Sequence, residues 1–197
     1  DEDEKVGVHR LFDKLCEFYD EYIHLYKKYF NCDIIAFHDD WGSQKAPFFS
    51  LNTVREMLLP YLKRVVDSTH DAGCFFEMHS CGKNDMLVPA MLEAGIDCWQ
   101  PQFINDFELL YKLCGDQIAL TIPLKDYLRD DMSENEMKDT IANFIEKHPK
   151  AMASTWMSPN ISAQYLYEIS RKYYCGSLPI DIANFKTDES LEASACK

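Results

Sequence analysis

The stretch Phe75-Phe76-Glu77-Met78-His79-Ser80-Cys81-Gly82 is a short apolar run that ends in a histidine and a cysteine two residues apart. Strand side chains alternate between faces, so on a β-strand His79 and Cys81 point to the same side. Imidazole with thiolate is a donor pair that suits Zn²⁺. Without a metal, the same residues read as a hydrogen-bonded polar strand end at the floor of a pocket.

Working outward, Asp33-Ile34-Ile35-Ala36-Phe37-His38 has the same character, a continuous apolar run that turns polar at its end, as in a strand buried on both faces. From Val6 to Phe30, Leu11, Leu15, Phe18, Tyr22, Leu25 and Tyr26 recur at helical spacing between charges, which predicts one long amphipathic helix packing by that apolar face. The alternation then repeats. A helix over 52–71 leads to a strand over 74–78, a helix over 86–94 to a strand over 97–100, and a helix over 106–114 to a strand over 117–122. A helix over 134–147 leads to a strand over 151–155, and a last helix covers 161–174. Ser133 with Glu136 makes a capping box, and Gly115 and Gly176 stand where C-caps belong. Short apolar strands alternating with helices predict an α/β protein with a parallel sheet.

Bulk properties narrow the function classes. A chain of 197 residues, 47% hydrophobic and 13% aromatic, supports one well-buried domain and argues against disorder. We place that domain at 1–176 and read 177–197, which loses apolar periodicity, as a tail. A net charge of −13, from 33 acidic and 20 basic residues, excludes nucleic acid as a partner, since a polyanion needs clustered Lys and Arg. Eight cysteines scattered through helix-like and strand-like segments predict free thiols and a reducing cytoplasm rather than a disulfide framework. No apolar run is long enough to span a bilayer, so no membrane association is expected. The opening Asp1-Glu2-Asp3-Glu4 lacks both a Met and a signal peptide's basic start, which predicts a natural start farther upstream.

The chemistry-bearing residues fall at the C-terminal ends of the strands, the edge that carries the site in parallel α/β folds. They are His38, Asp39, Asp40 and Trp41 after the first strand and His79 and Cys81 after the second. Cys98 to Gln102 follow with the third, Pro123 and Lys125 with the fourth, and Thr155 and Trp156 with the fifth. Adjacent strand-end carboxylates diverge, so one of Asp39 and Asp40 is expected in the pocket, orienting substrate or acting as general base with help from His38, and the other in a turn. Trp41 and Trp156 supply apolar walls. His70 reads as a helix C-terminal cation, Lys125 as an anion contact, and His9, His24 and His148 as solvated.

In the order His38-Asp39-Asp40-Trp41-Gly42-Ser43-Gln44, Leu59-Pro60-Tyr61, His79-Ser80-Cys81-Gly82, these motifs resemble the uroporphyrinogen decarboxylase superfamily. The methylcobamide:thiol and O-demethylase methyltransferase branch within it is the closer likeness. Gly95-Ile96-Asp97, Pro101-Gln102 and Ser158-Pro159-Asn160-Ile161 extend the resemblance, which runs from about Asp33 to Gly176. It implies a (β/α)₈ barrel of which this chain carries the last five β/α units. An open set of five strands implies either a missing N-terminal half-barrel or self-association through exposed edges.

In that branch a His-x-Cys pair, here His79 and Cys81, binds Zn²⁺ with a further cysteine from the last strand, and the metal activates a thiol for methyl exchange with a corrinoid protein. The last strand here, 151–155, has no cysteine. A related zinc enzyme uses a glutamate that would fall near Gln102, an uncharged amide that suits substrate contact better. Cys98, the alternative donor, is expected to face the helix layer. The resemblance thus implies methyl transfer between a small donor or thiol and a corrinoid protein, with methoxylated aromatics as one substrate class. The alternatives are an inactive fragment or partner subunit and, behind both, tetrapyrrole decarboxylation.

Overall fold

The computed structural model describes residues 2–155 and 158–176. Each strand is followed by a helix, in the order α1 (Glu2–Phe30), β1 (Ile34–His38), α2 (Leu51–Met57), α3 (Leu59–Asp71), β2 (Phe75–Ser80), α4 (Val88–Ala94), β3 (Cys98–Pro101), α5 (Phe107–Cys114), β4 (Ala119–Pro123), α6 (Glu134–Lys147), β5 (Met152–Ser154) and α7 (Ser162–Cys175). The five strands lie in one open sheet in chain order, with β1–β2, β2–β3 and β3–β4 paired in parallel. This is the expected α/β architecture, the portion of a (β/α)₈ barrel made by about five β/α units.

Local chemistry explains the boundaries. The helix read over 52–71 is two helices, because Pro60 has no N–H to continue the first one and Leu58 closes it by donating to Val54 O at 2.9 Å. Ser50 caps α2 by accepting from Thr53 N at 3.1 Å, and Asp106 caps α5 by accepting from Leu109 N at 3.0 Å. The helix read from Met86 opens instead with a 3₁₀ turn over Asp85–Leu87, and α4 ends on Gly95 at φ 80°, a left-handed cap. Ser133 and Glu136 form the expected capping box, with Ser133 N donating to Glu136 Oε2 at 2.8 Å. Strand β2 runs two residues past the predicted end, to Ser80, carrying His79 within the ladder opposite His38.

Two compact units make up the chain: residues 2–122 with 148–154, and 123–147 with the described residues from 155 to 176. In the first, alternate strand residues Phe76, Met78, Trp99 and Leu120 are 0% exposed. Helices α3 and α4 contribute Val65, Val66, Ala90 and Met91 to that apolar layer, each large side chain adding about 1.5–3 kcal/mol over an exposed one. In the second, α6 packs on α7, and Lys138 sits over the Tyr165 ring at 4.7 Å while its charge meets Glu134. Lys125 is ion-paired with Asp126 at 3.6 Å.

The face of α1 expected to be buried is not. Leu11, Leu15, Phe18, Tyr22, Leu25 and Tyr26 are all exposed, and Cys16 and Ile23 are the buried residues as α1 packs on α3. Apolar side chains circle more than one side of this helix, so periodicity alone does not choose the face. No described helix is long and apolar enough to cross a membrane.

Candidate functional site

His79 leaves β2 on the face opposite the apolar layer, one pleat beyond Glu77, and its Nε2 lies 3.3 Å from Cys81 Sγ. The two-residue spacing thus brings the pair together as read. The third member comes from the neighbouring strand end. Cys81 N donates to Asp40 Oδ1 at 2.8 Å, and ligand atoms of Asp40, His79 and Cys81 all lie within 4.8 Å of one another. The Cys81 N–H holds the Asp40 carboxyl below its usual range, with the charges of His79 and His38 acting in the same direction. Burial pushes the Cys81 thiol up, and the facing Asp40 carboxylate pushes it further. A divalent cation among the three would reverse that push, since it favours thiolate and carboxylate together.

The donor set fits zinc. Nitrogen, sulfur and oxygen are its common ligands, and metal–ligand lengths near 2.0–2.3 Å set tetrahedral edges of about 3.3–3.8 Å. The His79–Cys81 separation falls in that range. His79 Nδ1 is buried without a hydrogen-bond partner among the described residues, so no local group competes to turn the ring away from Cys81.

A buried polar network holds this loop, and its members escaped the sequence reading. Ser80 Oγ accepts from Trp41 N at 3.1 Å and from Asn84 Nδ2 at 2.9 Å. Asn84 Nδ2 also donates to Cys81 O at 2.7 Å, and Asn84 N to Asn105 Oδ1 at 3.1 Å. Asn105 Nδ2 in turn donates to Gly82 O at 2.9 Å. Gly82, at φ 99°, lies so close to Gly42 that an added Cβ would sit 2.2 Å from its backbone. Asn residues shortly after strand ends were the available signal, but each reads equally as a turn.

The other candidates separate. Asp39 turns away from Asp40, accepts from Trp41 Nε1 at 2.8 Å, and with His38 and Trp41 lines a cavity on the helix side of β1. Burial raises its pKa, the indole N–H partly opposing this. Neither carboxylate is left to form only a turn. The His38 ring packs on that of His79, centroids 4.9 Å apart, so it borders both places. Gln102 Oε1 accepts from Gly82 N at 2.8 Å and so braces the cysteine loop. Trp156 lies outside the described residues, as does the segment 177–197.

Two expectations are corrected, the facing of Cys98 and the solvation of His148 and His9. Cys98 faces away from the helix layer, with its sulfur 3.4 Å from Thr121 Oγ1 and 3.3 Å from Met152 Sδ, because the β2–β3 register aligns it with Glu77. It is too far along the strand from His79 to join the cluster. His148, read as solvated, is 2% exposed and meets Glu108 at 3.2 Å and the Tyr111 ring edge-on. His9, also read as solvated, is half-buried and bonds Tyr61 Oη at 2.7 Å. His70 stands in the last turn of α3, as read, and is also held by Asp97 at 2.7 Å.

Residues 3–153 match the uroporphyrinogen decarboxylase (URO-D) family. The chain belongs to that family. A solved methyltransferase from Methanosarcina mazei shares the fold, with a TM-score of 0.58 and 16% identity over 81% of this chain. The match covers 47% of that protein, so this URO-D family chain spans about half its length. No curated protein matches the sequence.

Proposed function

We propose that the chain is the metal-bearing part of a URO-D family methyltransferase that moves a methyl group between a small donor or thiol and a corrinoid protein. The observation that carries this reading is the convergence of Asp40, His79 and Cys81 at the C-terminal edge of the sheet. His79, Cys81 and Asp40 would hold Zn²⁺, which when bound lowers a substrate thiol's pKa so that the thiolate nucleophile exists at neutral pH. Asp40 stands in for the cysteine absent from β5. Cys81 N–H fixes the carboxylate, the Ser80–Asn84–Asn105 network fixes the cysteine loop, and His38 packs against the imidazole. Methyl transfer as the reaction class is supported by the fold shared with the M. mazei methyltransferase, and methoxylated aromatics remain one candidate donor.

Purified protein titrated with Zn²⁺, and with Co²⁺ as a spectroscopic reporter of thiolate ligation, tests it. One equivalent should bind, with affinity falling at least about tenfold in Asp40→Asn and further in His79→Ala and Cys81→Ala. Metal-free protein that takes up neither ion overturns it.

One observation favours a second reading, a partner subunit without its own activity: neither β5 nor any strand end beyond β2 adds a ligand to the cluster among the described residues. Methyl transfer from a methylated corrinoid to a thiol, assayed with and without added half-barrel, separates the two.

A further inference from the structure

Helix α1 carries two apolar rows. The inner row serves the fold: Cys16 and Ile23 are buried, and Phe12 and Tyr19 line the aromatic cavity, where their rings meet Tyr61 of α3 and Phe37 of β1 at 5.1 and 5.2 Å between centroids. The outer row runs from Val8 to Tyr29 in alternating three- and four-residue steps, and every member is exposed. Those steps are the a and d positions of successive heptads, with Val8, Leu15 and Tyr22 at a and Leu11, Phe18 and Leu25 at d. A narrow stripe that keeps a strict 3.5-residue period is the seam of a left-handed supercoil, made to receive another helix.

Charges beside the seam select the partner and its direction. Lys14, Glu21 and Lys28 occupy the g positions and are exposed, whereas the e positions on the other flank are the aromatic Phe12, Tyr19 and Tyr26. In a parallel pair of such helices g faces e, so no charge meets an opposite one. In an antiparallel pair g faces g, and a layers against d. Setting Leu15 against Phe18 of a second copy also sets Val8 against Leu25 and Leu11 against Tyr22. It brings Lys14 to Glu21 on both sides of the two-fold axis. A slide of one heptad in either direction opposes Lys14 to itself or to Lys28, so like charges penalise the neighbouring registers. In the free helix Lys14 meets Glu17 at 2.6 Å, an exposed pair that costs little to exchange.

We propose that α1 is a homodimerisation helix, pairing antiparallel with α1 of a second copy of this chain. Leu15 and Phe18 meet at the two-fold axis, and Lys14 meets Glu21 on the flank. The contact is isologous, so it closes at two chains and leaves no stripe open for a third. Aromatic members of the seam are partly ordered in advance, since the Phe18 and Tyr22 rings already stack at 5.5 Å along the helix. This surface is separate from the Asp40–His79–Cys81 cluster, and the pairing needs no metal.

Sedimentation equilibrium on the full chain should show a monomer–dimer equilibrium in the micromolar range. Lys14→Glu and Glu21→Lys, each checked for folding by circular dichroism, should each weaken the dimer at least about fivefold, because each sets like charges at both symmetric contacts. The second variant is the sharper test. It reduces the magnitude of a net charge of −13, so a general charge effect would tighten the dimer where this register predicts weakening. Mixed together, the two variants should form a heterodimer as tight as the wild-type dimer, and the double variant should self-associate as wild type does. A chain that stays monomeric, as expected if the stripe seats a different polypeptide, overturns the proposal. So does a dimer that ignores both charge reversals, or a pair of variants that fail to rescue each other on mixing.

Discussion

On the helix-covered face of the sheet Phe76 and Trp99 are 0% exposed, whereas on the opposite face Ile34 and Phe75 are 45% and 63% exposed. The flank continues the second pattern. Val8, Leu11, Leu15, Phe18, Tyr22, Leu25 and Tyr29 follow one another along α1 at alternating three- and four-residue steps, 37% to 69% exposed. Residue types on the two sides are alike, so hydrophobicity does not distinguish them; the presence of a packing neighbour does. Parallel sheets normally have both faces covered, and a barrel covers the second face with its own remaining strands. The Asp40–His79–Cys81 cluster stands at the rim of the open face, and the aromatic cavity on the covered one.

The largest effect expected from this contrast is on stability. Trp99→Ala should cost about 3–5 kcal/mol in urea melts, while Phe75→Ala on the adjacent strand should stay within about 0.5 kcal/mol. A comparable loss at Phe75 would mean that the open face is packed in solution. The next test concerns a buried spot on the open face, at Cys98 and Thr121. Burial pushes the Cys98 thiol up to about 12. The folded chain therefore keeps that proton through the window from about pH 8.5, its unfolded value, to about 12, where the unfolded chain has lost it. Stability is full below about pH 8.5 and declines as pH rises through the window. Urea melts on either side of it should show a smaller alkaline decline for Cys98→Ala than for wild type.

A smaller change is expected at the network beneath the cluster. Asn84→Ala leaves Ser80 and the Cys81 carbonyl short of a donor, at about 1–3 kcal/mol, and should loosen Co²⁺ binding while a surface substitution such as Lys45→Ala does not. The smallest effect on stability belongs to the α1 stripe. Phe18→Lys with Tyr22→Glu should leave melts unchanged within about 0.5 kcal/mol and reduce self-association in light scattering. A destabilised monomer would place the stripe inside the fold.

Much of the architecture was legible in short-range pattern. Strand and helix alternation, the Ser133–Glu136 capping box and the left-handed cap at Gly176 all follow from residues a few positions apart. So does the meeting of His79 with Cys81, because strand periodicity is two. Less legible were the break at Leu58, where proline chemistry outweighs an unbroken apolar pattern, and the burial of His148, which depends on Tyr111 and Glu108 nearly forty residues earlier.

The sequence by itself determined the α/β class and the strand edge that carries the chemistry, since both rest on periodicities of 2 and 3.6 that each segment encodes alone. Tertiary structure decided the rest. It sent Asp39 to the aromatic cavity and Asp40 to the side of His79 and Cys81, and it left the apolar stripe of α1 facing outward. The physical reason is strand pairing: the β1–β2 register sets the Cys81 N–H against Asp40 across 41 positions of chain, and no local propensity records that contact.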